Sequence, residues 1–394
     1  ELQRTASNGA AASGVQDAPI SGGLLVFRAL VTAYQGRSQE SVELTRQALQ
    51  DVPEGHLFLR SLLSGILGLA YMYSGDFAAA GPALQGAATN ARQAGNVMNT
   101  VLALCHLAEL SALAGELYSA QPLYKEALSI AVDGEGGRLP IAGMACIGLG
   151  HLHFLWNDLD RAAEYLEQGI ELARGWGKAG TLRGYSTLAR VKMAQVDFAA
   201  ARQLLQTAEQ IAARFDVTEV DDLSVAMQKA ELSIAEGDWR AAMAWVEKRG
   251  LTLGPDQVRP DIENDRRLWL HRYFRQREYT TLAKLLIPIG LMRDGVASDG
   301  KLPKSSEALE VAAGLLAELR PAMEEKGEIL HLVEVLTLQG RVLAALGHKA
   351  RALAAVERAL LLGRPGGLVR TFVDGGQSMS TLLREAVSRS SSPQ

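Results

Sequence analysis

Residues 62–96 read LLSGILGLAYMYSGDFAAAGPALQGAATNARQAGN. Two apolar helical patterns flank a short polar phrase, Gly75-Asp76-Phe77. Gly68 lies two helical turns before the phrase, and Ala80, Leu84 and Ala87 follow it at helical spacing. The phrase has a physical logic. Glycine ends one helix in the left-handed conformation, and an acidic residue suits the positive start of the next. The bulky residue then packs back across the hairpin.

The phrase recurs as Gly115-Glu116-Leu117 with Ala120, Asn157-Asp158-Leu159 with Ala162, Val196-Asp197-Phe198 with Ala201, and Gly237-Asp238-Trp239 with Ala242. Arg277-Glu278-Tyr279 with Leu282 is a weaker copy, and Gly347-His348-Lys349 with Ala352 closes the series. An earlier copy starts at Gly36. The spacing is about forty residues, except for a longer last interval with room for an insertion or an extra helix. A small residue stands two turns before each clear turn: Gly68, Ala108, Gly150, Ala189 and Ala230. No strand period runs over a useful length. The pattern predicts an all-α fold, a right-handed α-solenoid of about eight antiparallel helix hairpins. The expected organisation is a flexible lead-in over 1–22, one superhelical domain over 23–387, and a polar tail or linker over 388–394.

Composition agrees with a packed helical array. Of 394 residues, 48% are hydrophobic but only 6% aromatic, so the core is built from Ala, Leu, Ile and Val. The net charge of −4 argues against a main surface devoted to nucleic acid. The cysteines, Cys105 and Cys146, are too few for a disulfide scaffold and fit a reducing, cytoplasmic compartment. No uninterrupted apolar run reaches the roughly 18 residues of a membrane span.

The repeats resemble tetratricopeptide repeats, on Leu67-Gly68, Tyr71, Gly75, Ala80 and Ala87, though with longer helices and few of the prolines at repeat ends. A narrower resemblance rests on 62–96, on CHLAELSALAGELYSAQPLYKEAL (105–128), on GHLHFLWNDLDRAAEYLEQGIELARGWGK (150–178) and on LVRTFVDGGQSMSTLLREAV (368–387). In wording and order these resemble the superhelical middle region of large ATP-binding LuxR-family transcription regulators, MalT-like, over 22–387. The resemblance implies ligand sensing in this region, with an ATPase domain ahead of it and a DNA-binding helix-turn-helix behind it. ATP would then belong only to the preceding domain, and this segment itself would hold no cofactor. The chain has no GxxxxGK[ST]; Gly175-Trp176-Gly177-Lys178 is a capping turn by its place at a helix end.

In a solenoid the first helix of each pair lines the concave surface. The row beside the small packing residues reads Leu69, Glu109, His151, Arg190, Glu231 and His271. Arg183, Ser186, Arg267 and Phe274 extend it along the same helices, and Phe154 flanks His151. Charged hydrogen-bonding groups beside the rings of Phe154, Trp156, Tyr185 and Phe274 suit a small polar effector such as a sugar, or a regulatory protein or peptide. The expected ligand-binding set is therefore Glu109, His151, Phe154, Arg183, Tyr185, Arg190, Glu231, Arg267, His271 and Phe274. A solvated face of mixed charge is the plainer reading of the same row. Effector binding would control self-association, with no contact to nucleic acid or membrane by this segment. The alternative is a free-standing peptide-binding or protein-binding adaptor.

Other chemical signals are weak. His151 and His153 point to different helix faces, and Glu328-x-x-His331 lacks the second motif that a carboxylate-bridged metal site needs. No nucleophile signature occurs, so neither catalysis nor a metal site is expected. The polar stretches 133–137 and 294–304 read as surface loops.

Overall fold

A computed structural model describes residues 20–34, 37–174, 178–214, 219–251, 269–292 and 303–390. Eight helix pairs follow one another in it: α1 (Ile20–Tyr34) with α2 (Ser38–Asp51), α3 (Leu57–Ser74) with α4 (Phe77–Gln93), and α5 (Val97–Leu113) with α6 (Leu117–Ile130). Then come α7 (Ala142–Leu155) with α8 (Leu159–Ala173), α9 (Lys178–Ala194) with α10 (Phe198–Arg214), and α11 (Glu219–Glu236) with α12 (Trp239–Lys248). The last pairs are α13 (Trp269–Leu291) with α14 (Ser305–Lys326) and α15 (Ile329–Ala345) with α16 (Lys349–Gly363). A short α17 (Arg370–Val373) and a closing α18 (Gly376–Ser390) follow. Helix therefore begins within the stretch expected as a lead-in and ends within the one expected as a tail. Among the described residues the only extended pairing is one isolated bridge, Val132 with Arg138, across the 133–137 turn.

The hairpin turns share one backbone device. Gly75, Gly115, Gly237 and Gly347 are left-handed, with φ of 75°, 78°, 74° and 82°. Asn157 and Val196 take the same conformation at φ 65° and 64°. The following acid caps the next helix directly: Asp76 Oδ1 accepts from the Ala79 N–H, Asp197 Oδ1 from Ala200 and Asp238 Oδ1 from Ala241, each at 3.0 Å. Ala80, Ala120, Ala162, Ala201, Ala242 and Ala352 are all fully buried one turn later.

The weaker copy at Arg277 is no turn. α13 runs unbroken through it, with Glu278 buried and paired to Arg249 and Arg275, and Tyr279 in the core. The phrase has an acid and a ring but no residue that readily turns left-handed, so the helix continues. The long interval instead holds the α13/α14 hairpin, and its connection at 293–302 lies outside the described residues.

Close approach within each hairpin comes from a small residue facing a large one. A Cβ on Gly68 would lie 2.5 Å from Leu84 Cγ, and one on Gly150 would lie 2.6 Å from Leu166 Cγ. Gly340 faces Val356 in the same way, at 2.6 Å. α3 is, by length and composition, apolar enough to cross a membrane despite Arg60, Ser61 and Ser64. In the fold it is a core helix between α4 and α5, and Leu63, Ile66 and Ala70 are buried.

The first helices of the pairs, α3, α5, α7, α9, α11, α13 and α15, touch one another in succession and form the inner layer. That layer curves until it meets itself, α13 packing on α3 and α15 on α5, and the short α17 packs on α7.

Two outcomes test this account. Val196 is 71% exposed and β-branched in a left-handed conformation, so Val196→Gly removes strain without losing packing. It is expected to raise stability by about 1 kcal/mol, seen as a higher Tm by circular dichroism. Gly150→Val, which drives a branched side chain into Leu166, is expected to cost about 1–3 kcal/mol or more in denaturant unfolding.

Candidate functional site: the inner face of the superhelix

The inner layer carries a charged network in its curve. Arg183 on α9 reaches back to Glu109 on α5, with Nη1 2.8 Å from Oε1, and His106 Nδ1 stands 3.8 Å from the other oxygen of Glu109. Further along, Lys284 on α13 bridges Glu231 on α11 at 2.6 Å and Glu334 on α15 at 2.7 Å. Arg277 also pairs with Glu334. Arg190 lies over the face of Phe154, its guanidinium carbon 4.6 Å from the ring centre. His151 on α7 is within electrostatic reach of Arg183, Arg190, Glu109 and His331.

The field inside the curve sets the charge states. Burial pushes Glu109 up, but the Arg183 guanidinium and the His106 ring together bring it down to about 2. Burial also opposes the charged forms of Glu231 and Glu334. Lys284 with Arg190 holds the first below the usual carboxylate range, and Arg277 with Lys284 holds the second well below it. Lys284 is raised: burial works against its charge, and the two glutamates outweigh burial. For His151, burial and the adjacent Arg183 and Arg190 act together and hold the imidazole well below its ordinary range. Burial keeps the thiols of Cys105 and Cys146 protonated, the latter pushed up to about 11.

Of the residues expected to bind a ligand, the structure brings Glu109, His151, Arg183, Arg190 and Glu231 into one connected field, with Phe154 behind it. Phe154 is buried, so its ring supports Arg190 and is no open stacking platform. Tyr185 is buried away from the network, and its hydroxyl accepts from Arg174 at 3.3 Å. Trp156 and Ser186 are likewise outside the network; Leu69 is core. His271 and Phe274 belong to the first turns of α13, and Arg267 lies outside the described residues. Lys284, Arg277, Glu334 and His331 are not in the expected ligand-binding set: the sequence pattern reads Arg277 as a turn and His331 only as half of a metal spacing. Placing a turn at Arg277 moved the first two off the inner helix. Glu334 had a usable signal, since it precedes Arg341 by the same two turns that separate Arg183 from Arg190. Glu328 and His331 are both buried and face each other at 3.3 Å. Among the described residues, no group of three or more His, Cys, Asp or Glu gathers as metal ligands would.

The segment after α16 closes the curve. The Trp156 indole donates to the Gly366 carbonyl at 3.0 Å, and the Val369 N–H donates to the Leu155 carbonyl at 3.1 Å. Arg370 Nη1 donates to Asn157 Oδ1 at 2.8 Å, and its Nε donates to Asp374 at 2.7 Å. Gly366 passes so near the Gly115 carbonyl that a Cβ there would lie 2.0 Å from its oxygen. The Arg370 guanidinium carbon is 6.0 Å from the centre of the Phe154 ring, the same ring that carries Arg190. This clasp, residues 366–374, overlaps the start of the LVRTFVDGG stretch (368–376) singled out in the sequence.

A sequence profile of the MalT-like TPR region matches residues 22–389. The chain belongs to this family. It is 21% identical over 380 residues to the HTH-type transcriptional regulator MalT of Yersinia pestis (strain Pestoides F), and 21% identical over 373 residues to that of Yersinia enterocolitica. Each alignment covers 93% of this chain, which spans 37% of the length of those relatives. Among solved structures, a Rap protein complexed with Competence and Sporulation Factor superposes with a TM-score of 0.55 at 12% identity, over 88% of this chain and 98% of that one. That likeness concerns the fold: an all-α solenoid.

The depressed His151 predicts a pH response. The unfolded chain takes up a proton below pH about 6.5, whereas the folded imidazole stays neutral. Stability is therefore full above that pH and falls as the pH drops below it. His151→Gln is expected to lose less Tm between pH 7 and pH 5 than the parent chain; equal slopes in the two melting series would contradict the assignment.

Proposed function

We propose that this chain is the signal-sensing and interaction domain of a bacterial MalT-like transcription regulator. In this reading a small effector or a regulatory protein binds the charged inner face and thereby controls self-association. The supporting observation is Phe154, whose ring meets Arg190 of the inner face and Arg370 of the clasp. A ligand that repositions Arg190 acts on the ring that the clasp rests against, so occupancy and closure share one contact. The Rap protein solved with Competence and Sporulation Factor supports the idea that such a fold serves a regulatory molecule. The domain would work in the cytoplasm without catalysis and without touching nucleic acid or membrane. ATP and DNA would engage other parts of the full regulator.

The test is a thermal-shift screen of the chain against sugars, sugar phosphates, organic acids and short peptides, followed by hydrogen exchange on any hit. An effector raises the Tm by mass action and changes protection of the Val369 amide, which donates across the clasp. Phe154→Leu is expected to keep binding within a few-fold but to lose the response at Val369. A chain that answers no compound yet holds a stable protein partner would instead be an adaptor.

A further inference from the structure

The charges on the inner face do not pair off evenly. Arg183 is matched by Glu109, and Lys284 and Arg277 are matched by Glu231 and Glu334. Arg190 is the exception: among the described residues no carboxylate lies within ion-pair distance of it, and its contact is the face of Phe154. Glu231 shares its field but is already bonded to Lys284. Cation–π packing fixes the guanidinium while leaving its N–H edge without an anionic acceptor. The residue as a whole is only partly buried.

The neighbour of this cation strengthens the case. His151 lies on α7 in the same field; burial disfavours its protonation most, Arg183, Arg190 and His331 add to that, and Glu109 opposes it. The guanidinium of Arg190 attracts an oxyanion by its charge, and a neutral imidazole near it still donates one N–H. A guanidinium that accepts a planar or tetrahedral oxyanion through paired N–H donors gives both charge and orientation.

We infer that Arg190, with His151 beside it, is the binding point for the oxyanion of a small metabolite, a carboxylate or a phosphate ester. This inference rests on the effector reading above and narrows it to an acidic ligand. The oxyanion supplies the charge that the network lacks, while Glu109 and Arg183 border the rest of the molecule. Bound there, it draws the guanidinium toward itself at the expense of the Phe154 contact.

Isothermal titration of the full chain with citrate, with glucose 6-phosphate and with glucose, at ionic strength held constant by sodium chloride, tests this. At least one of the two anions is expected to bind, and Arg190→Ala and Arg190→Gln are each expected to weaken it at least tenfold. Arg202→Ala removes an equal charge from α10, where the arginine pairs with Glu236, and is expected to stay within twofold. Helical melting curves confirm that each variant is folded. Equal loss in the Arg202 variant, or binding that survives both Arg190 substitutions, overturns the inference. So does binding of glucose alone, although that result leaves the effector reading standing. Silence of all three probes also overturns the inference, and the broader compound screen then decides the effector reading by itself. A preference for citrate over glucose 6-phosphate, or the reverse, identifies which oxyanion the site takes.

Discussion

A large side chain set into the space left by a small one governs the geometry of this protein. Leu84 fills the hole at Gly68, Leu166 the hole at Gly150 and Val356 the hole at Gly340. Elsewhere Ala108, Ala189 and Ala230 take the small role and are buried, as are Tyr124, Leu205 and Val246 on the partner helices. The contact is short-ranged, so it fixes how closely the two helices of a pair approach. Interiors packed to crystal-like density do not tolerate an extra methyl group there. Because nearly the same contact recurs about every forty residues, each hairpin is offset from the last in a similar way, and small offsets accumulate into curvature.

Curvature brings distant helices together and gives the inner face its chemistry. α13 reaches α3, α15 reaches α5, and the segment after α16 reaches the α7–α8 turn. Charges that would be solvated on an open solenoid become partly enclosed. Enclosure penalises an unpaired charge and strengthens a paired one. The outcome is a network in which most cations have an assigned carboxylate, one histidine is held neutral, and one guanidinium rests on an aromatic ring. The clasp uses backbone for the same closure. Gly366 lies against the Gly115 carbonyl, and Val369 donates to Leu155.

Much of the helix order was readable because each turn carries its own chemistry. Glycine at 75, 115, 237 and 347 and aspartate at 76, 197 and 238 make local interactions that depend little on the rest of the chain. The misreading at Arg277 came from the same habit. An acid and a ring at the right spacing imitated the phrase, but Glu278 is a buried partner of Arg249 and Arg275. That pairing depends on a residue 29 positions away, which no local pattern contains. The inner face was half legible for a related reason. Periodicity places Glu109, His151, Arg190 and Glu231 on one row, yet Lys284, Glu334 and the role of Phe154 depend on which helices the curve makes neighbours.

The sequence alone determined the local grammar: helix, left-handed turn, acidic cap, small residue facing large, and a repeat long enough to form a solenoid. These follow from interactions within one hairpin, where side-chain spacing and backbone conformation are decided a few residues at a time. Only the tertiary structure decided that the inner layer meets itself, that residues 366–374 form a clasp, and that Arg190 and Arg370 share the Phe154 ring. Those contacts include positions more than two hundred residues apart, such as Asn157 and Arg370. Their existence depends on the summed rotation of many hairpins, a quantity that no single repeat contains.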